Sequence, residues 1–258
     1  MKSFLPLAIR SLLFGIAIFS IPFLYKEATL GFRPGKLVGN LSQEAGFGIS
    51  PLNDEVAKQL RQPFFYLGQG TQCFVFESLD RQVVIKLFRR QSKKIVMHRT
   101  ALACQLAFER VPAQTGLLYL HLSKTDNLLP CVMVQDRIRR GHHLPLDRYA
   151  FILQKKAELF RPAFFEARQK GVAIPLIESY LQLAWIRSHQ GICNPDITLS
   201  RNVGFIGGQA VEIDFGSYRQ GVGDQTQEFQ RSAEKLGAFL EKYSPELLEE
   251  YKKKMELF

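Results

Sequence analysis

The stretch LGQGTQCFVFESLDRQVVIKLF, Leu67 to Phe88, alternates apolar with other residues, turns over Ser78 to Gln82, and alternates again. Successive side chains of a strand point to opposite faces, so the pattern describes a β-hairpin with one buried face. Gly68 and Gly70 stand at its head in a G-x-G-x-x-G-x-V frame, with Val75 in the last place and Cys73 where a third glycine would fall. Backbone without side chains lets amide groups approach phosphates closely. Sixteen residues beyond Gly70, Val83-Val84-Ile85-Lys86 sets one lysine in an otherwise apolar strand. Burying an ammonium is costly unless it meets an anion, so Lys86 is expected to face one.

Further along, HQGICNPDITLSRNVGFIGGQAVEIDFGSY runs from His189 to Tyr218. Asn202 to Phe205 and Gln209 to Ile213 read as two short strands around Gly207-Gly208, and the second runs into Asp214-Phe215-Gly216. Between the two motif regions, Gln91 to Arg110 is first basic and then amphipathic, with Ala101, Leu102, Gln105, Leu106 and Glu109 at helical spacing.

In this order of motifs the chain resembles the protein-kinase-like superfamily over Phe64 to Tyr218. The resemblance implies ATP and Mg2+ as cofactors, with Gly68, Gly70, Val75 and Lys86 around the nucleotide. It implies metal ligation by Asp214 and by Asn202, twelve residues earlier, a carboxylate and an amide oxygen suited to a hard cation. Asn194-Pro195-Asp196 falls in the H-R-D place, so Asp196 matches the catalytic aspartate that accepts a proton from a hydroxyl. The family's lysine pairs with a helix carboxylate. Glu109 is the acidic candidate here, and Gln105, one turn earlier, is nearer the usual spacing. The histidine and arginine of H-R-D are missing, and Asp196 stands six residues from Asn202 where the family has five.

The fold class expected is α+β: a two-lobed kinase-like domain with a five-stranded antiparallel N-lobe sheet and a reduced, mainly helical C-lobe. Val132 to Asp136 and Tyr149 to Gln154 supply the fourth and fifth strands, and Gln154 to Lys156 the connection against which adenine would lie. The boundaries are 1–26 for a hydrophobic segment, 27–55 for a breaker-rich linker, 56–156 for the N-lobe and 157–258 for the C-lobe. Phe229 to Tyr243 reads as one amphipathic helix and Pro245 to Glu256 as another. Only 42 residues follow Gly216, without an A-P-E sequence, too few for a peptide-binding platform. The expected acceptor is a small molecule, sugar or lipid hydroxyl. The alternative is a pseudokinase, a nucleotide-binding or scaffold module without phosphotransfer.

Phe4 to Tyr25, FLPLAIRSLLFGIAIFSIPFLY, carries one charge, Arg10. As a helix it would span about 33 Å, the thickness of a bilayer core, which predicts a transmembrane anchor; basic residues flank both sides, and the need for ATP is what sets the domain on the cytoplasmic face. The same stretch also fits a signal segment, cleaved on export. The 258 residues carry a net charge of +10, yet the cations fall in short separated runs that read as solvated faces, so nucleic acid is not the indicated partner. Cys73, Cys104, Cys131 and Cys193 form no C-x-x-C pair, which excludes a sequence-readable zinc site. His142-His143, beside Gly141, reads as a turn.

Overall fold

A computed structural model describes residues 20–42, 47–90, 94–221 and 223–258. Helix α1 (Asp54–Leu60) begins where Asn53 Oδ1 accepts the Val56 N–H at 2.8 Å, a side-chain cap on an otherwise unpaired donor. Strands β1 (Phe64–Gln69), β2 (Cys73–Ser78) and β3 (Val83–Phe88) form an antiparallel meander. Helix α2 (Lys94–Arg110) and the single turn α3 (Pro112–Thr115) follow, then β4 (Leu117–His121), β5 (Cys131–Gln135), β6 (Gly141–Pro145) and β7 (Phe151–Lys155). The remainder is mostly helical: β8 (Glu158–Leu159), α4 (Phe160–Gln169), α5 (Ile174–His189), β9 (Ile192–Cys193), α6 (Leu199–Asn202), β10 (Val203–Ile206), β11 (Gln209–Glu212), β12 (Arg219–Gln220), α7 (Gln225–Tyr243) and α8 (Leu248–Met255).

The class is α+β, but the sheet corrects the expected one. Among the described residues it has seven strands in the order β4-β7-β3-β2-β1-β5-β6, and β1 runs parallel to β5. The two strands absent from the five-stranded expectation gave no period-2 signal. Four of the five residues of β4, LLYLH, are buried, so apolar and polar positions do not alternate. The other, β6, is GHHLP, whose glycine, histidines and proline resemble a turn; His142 instead lies in the strand with Nε2 2.9 Å from Asp136 Oδ2. The hairpin of β10 and β11 has the expected form, with Gly207 and Gly208 at φ +57° and +81°, the left-handed conformation that a two-residue turn between twisted strands demands.

The expected N-terminal membrane helix is also corrected. Residues 1–19 lie outside the described residues, and among the described residues no helix is long and apolar enough to cross a membrane. Membrane anchoring, and the cytoplasmic or exported placement built on it, therefore has no support in the structure.

Nor do the described parts of 27–55 behave as a linker. Phe32 is buried with its ring 5.1 Å from Phe74 and 5.0 Å from Phe76, both edge-on. Leu37 is buried in the same cluster, and Val38 hydrogen-bonds both Phe88 and Ala150 through its backbone. One apolar cluster thus lies around the sheet and another among the C-terminal helices. A third joins Phe88, Cys104 and Ile152 to Phe215 and Tyr218, so the segment after Asp214 packs against the sheet and α2. Truncating a fully buried aromatic ring costs about 3–5 kcal/mol, whereas a linker phenylalanine would cost almost nothing. Phe32→Ala is therefore expected to lower the urea midpoint strongly without changing the slope, measured by equilibrium denaturation of the full chain.

Candidate functional site

The edge of the sheet and the loops that follow α5 and β11 enclose a cleft of about 830 Å³. Gly68, Gly70, Val75 and Lys86 line it from the sheet, Thr100 and Cys104 from α2, and Asp196 and Asp214 from the opposite side. Six of the eight residues selected from sequence therefore meet in one cavity, although Lys86 and Asp214 are 128 positions apart.

Gly68 and Gly70 occupy the turn end of β1, where Gly70 N–H donates to the Cys73 carbonyl at 2.9 Å. Neither has positive φ, and a Cβ built on either meets no described atom within 4 Å. The chain's own packing does not require glycine at these positions, so what the missing side chains provide is bare backbone facing the cleft.

Lys86 lies mid-sheet, opposite Val75 on β2 and Ile152 on β7. Its ammonium donates to the carbonyl of Ile213 and sits 5.9 Å from the centre of the Phe215 ring. The expected pairing with Glu109 is not formed: Glu109 is exposed and accepts from Gln105 Nε2 at 2.8 Å, so neither candidate reaches Lys86. Helical geometry explains the miss. Thr100 and Cys104, four residues apart, share the face toward the cleft, while Glu109 is rotated about 140° from Cys104.

Asn202 is buried and serves as a strut rather than lining the cleft. Its Nδ2 donates to the Asp196 carbonyl at 2.8 Å, and its own carbonyl accepts from the Ile213 N–H at 2.7 Å. The six-residue spacing is accommodated because the loop is closed locally: Asp196 N–H donates to Asn194 Oδ1 at 3.1 Å, and Thr198 Oγ1 donates to Asp196 Oδ1 at 3.2 Å. The carboxylates of Asp196 and Asp214 belong to exposed residues at the cleft wall. Among the described residues no group of three or more His, Cys, Asp or Glu side chains gathers to hold a metal. Of the two ligands that the resemblance implies, only Asp214 lines the cleft, as a single carboxylate, while Asn202 stays behind it on its Nδ2 bond to Asp196.

Behind the loops lies a charge cluster that the sequence reading did not find. Arg187, fully buried near the end of α5, donates Nη1 to Glu228 Oε1 at 2.5 Å and to the Ile192 carbonyl at 3.0 Å, and Nη2 to Ser232 Oγ at 2.6 Å. Its Nε is 3.3 Å from Glu212 Oε1, close enough for charge pairing although not aligned as a hydrogen bond. Tyr218 Oη donates to Glu212 Oε2, and Arg231 Nη2 donates to Glu228 Oε2 at 2.5 Å. Glu228 also accepts the Asn194 N–H at 3.0 Å, two residues before Asp196. A signal existed: Arg187 falls on the stripe Ile177, Tyr180, Ala184, spaced by three and four, where a charge interrupts an apolar face.

Burial alone would raise the Glu228 pKa, but the Asn194 N–H and the guanidinium groups of Arg187 and Arg231 outweigh it and hold the carboxyl below its ordinary value. For the cleft thiols, burial dominates and pushes both Cys73 and Cys104 up, with Lys86 pulling down and Asp214 pushing up as lesser influences. Both are therefore protonated at neutral pH and poor nucleophiles. Comparison with protein-family models and with the curated proteins finds no match for this chain.

Two outcomes are expected from the charge cluster. Arg187→Leu leaves Glu212 and Glu228 without their buried partner and lowers stability by about 3–5 kcal/mol in chemical denaturation at pH 7. Because the Glu228 pKa is lower in the folded than in the unfolded chain, its contribution is present above the ordinary carboxylate pKa and lost as pH falls through the folded one. The stability gap between wild type and Glu228→Gln should thus be widest above about pH 5 and narrow steadily as pH falls below the ordinary carboxylate value of about 4.3, followed by urea titration at each pH.

Proposed function

We propose that the cleft binds ATP with Mg2+, that the domain has a protein-kinase-like architecture, and that it transfers a phosphoryl group to the hydroxyl of a small molecule. One observation carries this reading: a glycine-rich turn, an in-sheet lysine and two carboxylates, from four separate stretches of chain, line one cavity. Bound Mg2+-ATP supplies a phosphoryl group whose charge is neutralised by the metal. Gly68 and Gly70 present backbone to the phosphates. Lys86 exchanges the Ile213 carbonyl for a phosphate oxygen, a stronger partner because it is charged. Asp214 would hold the cation, with Asn202 bracing the loop behind it, and Asp196, tied by its backbone to Asn202, orients the acceptor hydroxyl and takes its proton.

A second reading, a nucleotide-binding module without transfer, is favoured by one feature: α2 offers Lys86 a threonine and a cysteine where an ion pair would need a carboxylate. Thermal unfolding separates the readings. ATP with Mg2+ at a hundredfold excess over Kd should raise the melting temperature by about 4–8 °C, and Lys86→Met and Asp214→Ala should reduce the shift. Asp196→Ala should keep the shift and abolish ATP consumption in the presence of a hydroxyl acceptor. A shift without consumption by wild type selects the binding module; no shift at all would sink both.

A further inference from the structure

Gln72 stands in the turn between β1 and β2, half-buried, and lines the glycine-rich end of the cleft. Its side chain leaves the sheet and meets both other walls. Thr100 Oγ1 on α2 donates to Gln72 Oε1 at 3.0 Å, and a Cβ built on Gly216 would stand 2.8 Å from that same oxygen. The amide therefore fills the space that a side chain at residue 216 would take. Gly216 has no positive φ, so what its missing side chain provides is a seat for Gln72. The turn beneath the amide is fixed: the Arg89 N–H donates to the Gln72 carbonyl at 2.9 Å, and Arg89 Nε to the Thr71 carbonyl at 2.7 Å. Release of the amide thus needs rotation about side-chain bonds and no movement of the strands. Its hold is weak. A hydroxyl has one proton, and Thr100 Oγ1 also lies 2.9 Å from the Val96 carbonyl, so one hydrogen serves two acceptors.

Building on the nucleotide reading above, we infer that Gln72 is an autoinhibitory latch: joined to Thr100 and seated on Gly216, it closes the phosphate end of the cleft, and a bound triphosphate must displace its amide. The displacement is favourable because phosphate oxygens carry charge and bond donors more strongly than a neutral amide and hydroxyl bond each other. It is not free of consequence. Only the fraction of molecules with the latch released admits the phosphates, so the apparent affinity for the triphosphate is lowered by that fraction. A nucleoside without phosphates does not reach the turn and binds alike whether the latch is open or closed.

Two variants of the full chain open the latch by opposite means. Gln72→Ala removes the amide, and Gly216→Ala fills its seat, where the amide, as the far end of a flexible side chain, is the group that yields. The first readout needs no nucleotide: the rate of Cys104 alkylation by N-ethylmaleimide, followed residue by residue by mass spectrometry. Cys104 lines the cleft one helical turn beyond Thr100, whereas Cys131 is exposed outside it. Both variants should speed alkylation of Cys104 about three- to tenfold, the range of one net hydrogen bond, and leave Cys131 unchanged. The second readout is calorimetric affinity for ATP with Mg2+ and for adenosine. The variants should bind the triphosphate tighter by a similar factor and adenosine as wild type does. Gln72→Ala changes only a turn and carries the test alone should Gly216→Ala not fold. Unchanged Cys104 alkylation in Gln72→Ala overturns the latch, and unchanged ATP affinity overturns its inhibitory role; both leave nucleotide binding standing. Failure of wild type and variants alike to bind ATP overturns the proposed function, and the alkylation rates then decide by themselves whether Gln72 closes the cleft.

Discussion

The buried guanidinium of Arg187 is the constraint on which the C-terminal half depends. In a medium of low polarity an unpaired charge is prohibitively costly, so the group persists only because Glu212 and Glu228 surround it. Burial would lower its pKa, and these acids more than offset that, so it stays charged. With Arg231 the cluster holds two guanidinium groups and two carboxylates, a locally neutral set. Its members sit on three elements: Arg187 on α5, Glu212 at the end of β11, and Glu228 and Arg231 on α7. The charge requirement therefore fixes how those elements meet, and through Asn194 and Tyr218 it fixes the two loops that carry Asp196 and Asp214.

The cleft is assembled from parts with different physical roles. The sheet contributes apolar side chains and exposed backbone, and the loops contribute carboxylates. Lys86 connects them, since its ammonium rests on the carbonyl of Ile213, the residue before Asp214. Phe215 and Tyr218 complete the join by packing with Phe88, Cys104 and Ile152. The side of α2 facing Lys86 carries Thr100 and Cys104, so the lysine is held by the loop and not by the helix. This arrangement makes the segment around Asp214 the element on which both halves converge.

Several elements were legible because their signals are local. Strict alternation from Leu67 to Phe88 specifies paired strands wherever the hairpin lies in the molecule, and Gly207-Gly208 specifies its own turn through backbone conformation. The lone lysine in Val83 to Lys86 and the Asp214-Phe215-Gly216 sequence marked side chains that do line the cleft. Less was legible where burial erased the pattern: β4 is apolar on both faces, and β6 carries residues typical of turns. The breaker-rich stretch before Asp54 looked like a linker, although Phe32 and Leu37 occupy core positions there.

The sequence by itself determined the α+β class, the two hairpins and the identities of Gly68, Gly70, Lys86, Asp196 and Asp214, because each depends on residue type and short-range spacing. Only the tertiary structure decided the seven-stranded order with its parallel pair, the rotation of Glu109 away from Lys86, and the work of Asn202 as a strut. It alone revealed Arg187 between Glu212 and Glu228. The reason is physical: these features are set by which groups must share a buried, low-dielectric space. Residues far apart along the chain meet there only once the whole fold has closed.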